Sequence, residues 1–256
     1  MHYKLTLSYN GLQFCGWQRQ SDAPSVQQNI EYALSTLLRQ DVTITGAGRT
    51  DTGVSAVHYV ADFHTGGNIA DIAGFVRKLN AILPDSICVH SVEECSGDFN
   101  SRFDALRREY TYYLHRRKDP FVENYSYRYS YPEVDFDAMN AAAQFLLGTH
   151  DFSCFEKTGS DNRTSICTIY EAHWDEYRPT VCAGNLPGGD GYWAFRISAD
   201  RFLRNMVRAI VGTLLEVGRG KRSVESIPGL LESKNRCSAG ESVPGHALFL
   251  TGIIYE

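Results

Sequence analysis

Val42-Thr43-Ile44-Thr45-Gly46-Ala47-Gly48-Arg49-Thr50-Asp51-Thr52-Gly53-Val54-Ser55-Ala56-Val57-His58-Tyr59-Val60-Ala61-Asp62-Phe63 places two extended runs on either side of a glycine-rich loop. The run at Val42–Thr45 reads as a short strand and Val57–Phe63 as the next, so strand follows strand with no helix between them. Three glycines around one arginine and one carboxylate make a loop that can bend sharply and bring its backbone close to a ligand. The residues alone leave two readings open: a catalytic loop, or a tight turn in which Asp51 caps backbone N–H groups and Arg49 is solvated.

Two familiar glycine loops do not fit. A dinucleotide fingerprint needs G-x-G-x-x-G, and here the third glycine comes two residues late, with Arg49 and Asp51 in between. Gly48 and Gly53 have the spacing of a phosphate loop, but Val54 and Ser55 stand where Lys and Ser or Thr are required. Nucleotide binding loses its main support.

Working outward, Tyr3, Leu5, Leu7 and Tyr9 alternate with Lys4, Thr6 and Ser8, the pattern of a half-buried strand. Phe14–Gln20 mixes aromatic and polar groups, as a loop bordering a site or a packing rim. Ser25 and Gln28 have capping-box spacing before Val26, Ile30, Ala33, Leu34, Leu37 and Leu38, which recur at helical intervals. A second helix is expected over 69–83, stopped by Pro84, and a strand over 87–92. The second half repeats this order. A strand runs through Tyr110, Tyr112 and Leu114, and Asp135 caps a helix. Strands follow near 163–174 and 192–198, separated by a loop with Pro179, Gly184, Pro187, Gly188 and Gly189. Arg201–Val217 is expected to be a helix and Ala247–Tyr255 a final strand. Each half therefore reads β-α-β-β-α-β, giving an α+β protein of two ferredoxin-like halves, 1–105 and 106–256. Both helices of such a unit cover one sheet face, which leaves the other face to be covered by something else, as RNA-recognition modules do with RNA bases. Two units side by side would form an extended antiparallel sheet with a central cleft.

At 256 residues the chain can bury a sizeable core, and 43% hydrophobic with 21% charged residues is the composition of a folded protein. No secretory signal core and no membrane-length apolar run is visible. Seven scattered cysteines, never in C-x-x-C spacing, read as free thiols of a reducing cytoplasm and argue against zinc. A formal net charge of −5 argues mildly against a nucleic-acid partner. The basic residues are clustered, however, at Arg107-Arg108, Arg116-Arg117-Lys118, Arg201/Arg204/Arg208 and Arg219/Lys221/Arg222. Each cluster reads as a solvated face or as part of a basic cleft.

The stretch around Asp51 resembles the catalytic signature of the tRNA pseudouridine synthase A family. Six further segments agree in order: Tyr9–Gln20, Ser25–Gln27, Leu106–Tyr112, Asp151–Phe155, Arg201–Gly218 and Pro244–Leu250. Two details depart from the family pattern. Ser55 stands where a histidine is usual, and Pro244-Gly245-His246-Ala247-Leu248 replaces the commoner A-H-G-L.

The resemblance implies isomerisation of uridine to pseudouridine in the anticodon stem-loop of tRNA, at positions 38 to 40. The bond from ribose to a uracil nitrogen breaks, the base turns, and it rejoins through a ring carbon. Product and substrate contain the same atoms, so no cofactor and no metal is expected. Asp51 is the implied nucleophile, attacking the sugar or the base. An ionised carboxylate in a cleft that excludes water needs a cation beside it, and the family pattern assigns Arg208. Arg201, Arg204 and Arg208, at i, i+3 and i+7, would share one helical stripe. The target base must leave the stack; Arg49 would fill the gap with its flat guanidinium, and Tyr110 would stack on the uracil and assist proton transfer. Arg19, Arg107 and Arg204 are further candidates for RNA contact. The family implies a homodimer. Rival readings are a non-catalytic RNA-binding protein of the same fold and an enzyme acting on free nucleosides.

Overall fold

A computed structural model of the chain describes residues 1–159, 163–180 and 191–256. It is of mixed α+β class and divides into two compact units, Met1–Leu106 with Phe249–Glu256, and Arg107–Leu248. The closing segment, expected at the end of the second half, is thus grouped with the first unit. Among the described residues no helix is long and apolar enough to cross a membrane.

The first unit runs β1 (His2–Tyr9), α1 (Val26–Leu38), β2 (Ile44–Gly46), β3 (Ser55–His64), α2 (Ile72–Ile82) and β4 (Ile87–Glu94). β1 is central, antiparallel to β3 on one side and β4 on the other, and β2 pairs antiparallel with β3. Alternation along β1 sends Tyr3, Leu5, Leu7 and Tyr9 to one face. Their partners Phe63, Ala61 and Tyr59 are buried too, as are Ile30 and Leu34 of α1 and Leu79 of α2. Each such large side chain, removed from water, contributes about 1.5–3 kcal/mol. Ser25 caps α1 by accepting from the Gln28 N–H, and Asp71 caps α2 by accepting from Gly74. Behind the opposite face, buried Asp62 accepts from the Ser101 N–H (2.9 Å) and stands 3.0 Å from His2 Nε2. This ties the chain after β4 across the sheet.

The second unit contains β5 (Arg107–His115), β6 (Tyr127–Arg128), α3 (Phe136–Gln144), β7 (Gly148–Asp151), β8 (Ile166–Glu176), β9 (Tyr192–Ala199), α4 (Met206–Gly218) and α5 (Ser226–Ser233). β5, β9, β8 and β7 are antiparallel neighbours in that order, and β6 lies parallel to β5. Tyr112, Phe195 and Trp174 are cross-strand partners buried with Met139 and Ala143 of α3 and Ile210 and Leu214 of α4. Asp135 caps α3 through the Ala138 N–H. The glycines and proline expected at 184 and 187–189 lie outside the described residues. The last strand, β10 (Leu248–Ile254), runs parallel to β3 through Phe249↔Ser55 and Leu250↔Ala56.

His115 is fully buried at the end of β5. Its Nδ1 is 3.0 Å from Ser126 Oγ, and its Nε2 stands 3.4 Å from Glu123. Burial pushes the imidazole pKa below its ordinary value, and the Glu123 carboxylate opposes this without cancelling it.

One expectation needs correction. α4 starts at Met206, five residues later than its apolar periodicity suggests, because Asn205 takes a left-handed backbone (φ 65°) that a helix cannot continue through. Leu203 donates to Met206 Sδ, and Met206 donates back to the Leu203 carbonyl in a turn. Arg201 and Arg204 therefore precede the helix and share no helical stripe with Arg208.

Candidate active site

The loop between β2 and β3 is held from beneath by aromatic rings. Trp17 and Tyr59, both buried, stack at 4.0 Å. The Tyr59 hydroxyl donates to the Gly48 carbonyl and accepts from the Gly48 N–H. Tyr9 Oη and Thr50 Oγ1 are 2.9 Å apart. Gly46 lies directly on the stack, where a Cβ would come 2.4 Å from Tyr59 Oη and 2.5 Å from the Trp17 indole.

The segment before α1 braces the loop from the side. Trp17 N–H donates to the Thr50 carbonyl (3.3 Å) and Gly53 N–H to the Phe14 carbonyl (3.3 Å). Between them Gly16 adopts φ 93°, with the Thr50 carbonyl only 2.2 Å from where a Cβ would stand, so only glycine fits. The aromatic-polar run at 14–20 thus borders the loop and packs against it at once. Ser55 is buried, and its Oγ accepts from the Gly11 N–H at 3.0 Å. The residue standing where the family pattern has histidine ties the start of β3 to the turn after β1.

On this base Asp51 is half-buried, and its backbone carbonyl accepts from Val54 N–H (3.1 Å) to close the turn. Arg49 is exposed, its Nε donating to Gln18 Oε1 at 3.2 Å. Arg19 is also exposed and pairs with Glu31 at 3.4 Å, a carboxylate that is itself buried. Arg19, Arg49 and Asp51 all belong to the first unit.

Arg107, Tyr110, Arg204 and Arg208 belong to the second. Tyr110 is half-buried, packed edge-on against Phe202 with ring centres 5.1 Å apart. Arg208 is half-buried on α4, and its Nε donates to the Val243 carbonyl at 2.7 Å. The neighbouring Pro244 carbonyl accepts from Tyr112 Oη at 3.1 Å. The segment before β10 therefore fastens β5 and α4 together, a role for Pro244 that the sequence did not disclose. Burial pushes the Tyr112 phenol well up, with nearby Arg208 opposing, so this hydroxyl remains a donor. Arg204 is exposed, its carbonyl accepting from Lys157 N–H. Arg107 is engaged by Glu109 (3.2 Å) and Glu171 (3.3 Å) and lies over the Tyr170 ring. Among the described residues no group of three His, Cys, Asp or Glu side chains is placed to hold a metal ion.

Comparison with known proteins gives this arrangement a class. The profile of the family described as tRNA pseudouridine synthase matches residues 6–104 and 142–256, and the chain belongs to that family. It is similar to tRNA pseudouridine synthase A of Bacteroides thetaiotaomicron, 46% identical over 99% of this chain and 90% of that one. The protein of the same name in Parabacteroides distasonis is 46% identical over 99% and 95%, respectively. That of Francisella tularensis is 35% identical over 99% and 94%.

Proposed function

We propose that the tRNA uridines isomerised by this enzyme lie in the anticodon stem-loop, at positions 38 to 40, and that Asp51 is the nucleophile. The observation that carries the assignment is the footing of the Asp51 loop. Its backbone is fixed by a buried Trp17–Tyr59 stack, two carbonyl contacts from residues 14–17 and the Tyr59 hydroxyl. A carboxylate on such a base loses little orientational freedom when it meets a ribose carbon or a uracil ring. Arg208 is its partner cation in this reading, supported by the Val243 carbonyl that fixes its Nε. Tyr110 stacks on the extruded uracil, and Arg49 fills the place the base leaves. Arg19, Arg107 and Arg204 contact the RNA backbone, with Arg107 having to exchange carboxylate partners for phosphate.

The same reading takes the functional halves as 1–105 and 106–256, both ferredoxin-like. The antiparallel order β4-β1-β3-β2 of the first unit supports this. It also places the enzyme in the cytoplasm as a homodimer, with no cofactor.

The test is conversion of a uridine-labelled tRNA transcript by the wild type and by Asp51→Asn. The wild type is expected to form pseudouridine in the anticodon stem-loop, and the variant to bind tRNA without forming product. Equal product from both would remove Asp51 from the chemistry, and product only outside that stem-loop would overturn the choice of target.

A further inference from the structure

A polar chain runs beneath the catalytic loop, from the interior to its arginine. Glu31 is buried on α1; its Oε1 accepts from the Ile44 N–H (3.2 Å) and from Gln27 Nε2 (2.9 Å). Gln27, one helical turn earlier and also buried, turns its Oε1 toward Gln18 Nε2 (3.0 Å) and the Arg19 N–H (3.0 Å). Gln18 Oε1 then accepts from Arg49 Nε at 3.2 Å.

The direction of this chain is not arbitrary. Gln27 Nε2 also donates to the Ile44 carbonyl (3.3 Å) while its Oε1 accepts the Arg19 N–H, so two backbone groups fix the amide with its NH2 toward Glu31 and its oxygen outward. At 3.0 Å from that oxygen Gln18 must present its NH2, which leaves its own oxygen toward Arg49. Backbone groups in the interior thereby decide that an acceptor, rather than a donor, faces the arginine on the surface. Were either amide reversed, two like groups would meet at hydrogen-bond distance. Because Gln27 and Glu31 are buried, the two inner links are also the ones least free to rearrange.

We propose that Gln18 and Gln27 are positioning residues that set the direction of the Arg49 guanidinium before tRNA binds. This rests on the reading of Arg49 as the group that fills the gap left by the flipped uridine. A long exposed side chain otherwise samples many rotamers, and orienting it in advance removes that cost from the base-flipping step. Between two exposed side chains such a hydrogen bond is worth no more than an ordinary one, about three- to tenfold in rate.

The experiment is a double-mutant cycle on the full chain, with kcat and KM measured on tRNA for Gln18→Ala, Arg49→Ala and the pair. Gln18 is exposed, so melting of Gln18→Ala is expected to match the wild type, and Gln27→Met tests the inner link with nearly conserved volume. Gln18→Ala is expected to lower kcat/KM about three- to tenfold and to have no further effect once Arg49 is alanine. A merely structural contribution would add to the Arg49 effect instead of vanishing within it. Additive losses, or a Gln18→Ala enzyme as fast as wild type beside an impaired Arg49→Ala, would overturn the relay while leaving the role of Arg49 standing. An Arg49→Ala enzyme with unchanged turnover would overturn both.

Discussion

Gly46, the last residue of β2, offers a sharp test because a control, Gly48, sits two residues away in the loop that follows. A Cβ at Gly46 would stand 2.4 Å from Tyr59 Oη and 2.5 Å from two atoms of the Trp17 indole, about 1 Å short of ordinary contact. Neither ring has room to retreat, since both are buried and already stacked at 4.0 Å. One carbon forced into a filled core costs about 1–3 kcal/mol, and at about 2–4 °C per kcal/mol for a chain of this size Gly46→Ala should lower Tm by about 2–12 °C. Displacing the loop by a comparable distance misaligns Asp51, and if it is the nucleophile proposed above, a loss of about 100-fold in turnover is expected. At Gly48, by contrast, a Cβ would have nothing within 4 Å, so Gly48→Ala should melt within about a degree of wild type. Thermal denaturation followed by circular dichroism, alongside pseudouridine formation, measures both. Equal melting of the two variants would refute the claim that the aromatic stack bears the loop.

Stability should also respond to pH through His115, whose imidazole burial drives toward the neutral form. The unfolded chain takes up its proton as pH falls below about 6.5 while the folded chain does not, so stability declines through that range and levels off below the lowered folded value. Urea midpoints between pH 8 and pH 5 should fall more for wild type than for His115→Gln; parallel profiles would dismiss the buried imidazole as the cause. Tyr112→Phe removes the donor to the half-buried Pro244 carbonyl, at a cost of about 0.5–1.5 kcal/mol. An unchanged denaturation midpoint would show that the contact contributes nothing.

Much of the first unit was legible because its signals are local. The alternation of β1 survives as a buried Tyr3/Leu5/Leu7/Tyr9 row, and the Ser25 cap is where the capping pattern put it. The start of α4 was not legible, since Phe202 and Met206 keep helical spacing although Phe202 packs on Tyr110 from an irregular segment. Apolar period reports which residues are buried, not which φ Asn205 adopts. α5 was missed although Ile227, Leu230 and Leu231 carry its period, because eight residues with Pro228 in the first turn make a faint signal. β7, four residues with no buried side chain, gives almost none.

At the site, the glycine loop stood out by composition, but what supports it did not. Gln27 and Glu31 lie one turn apart on α1 and look in sequence like a solvated stripe. Only the approach of Gln18, Arg19 and the Ile44 backbone turns them into a buried network. Tyr59 likewise reads as one residue of a strand, and Trp17 as part of a run that either borders a site or packs as a rim, until Gly46 is seen between them and the loop.

The Trp17–Tyr59 stack has a practical consequence as well. Of the chain's three indoles, this one rests against the backbone that carries Asp51, while Trp174 and Trp193 sit in the other unit. With those two replaced by phenylalanine, emission from the remaining fluorophore would follow the loop optically, in real time, as substrate arrives and product departs.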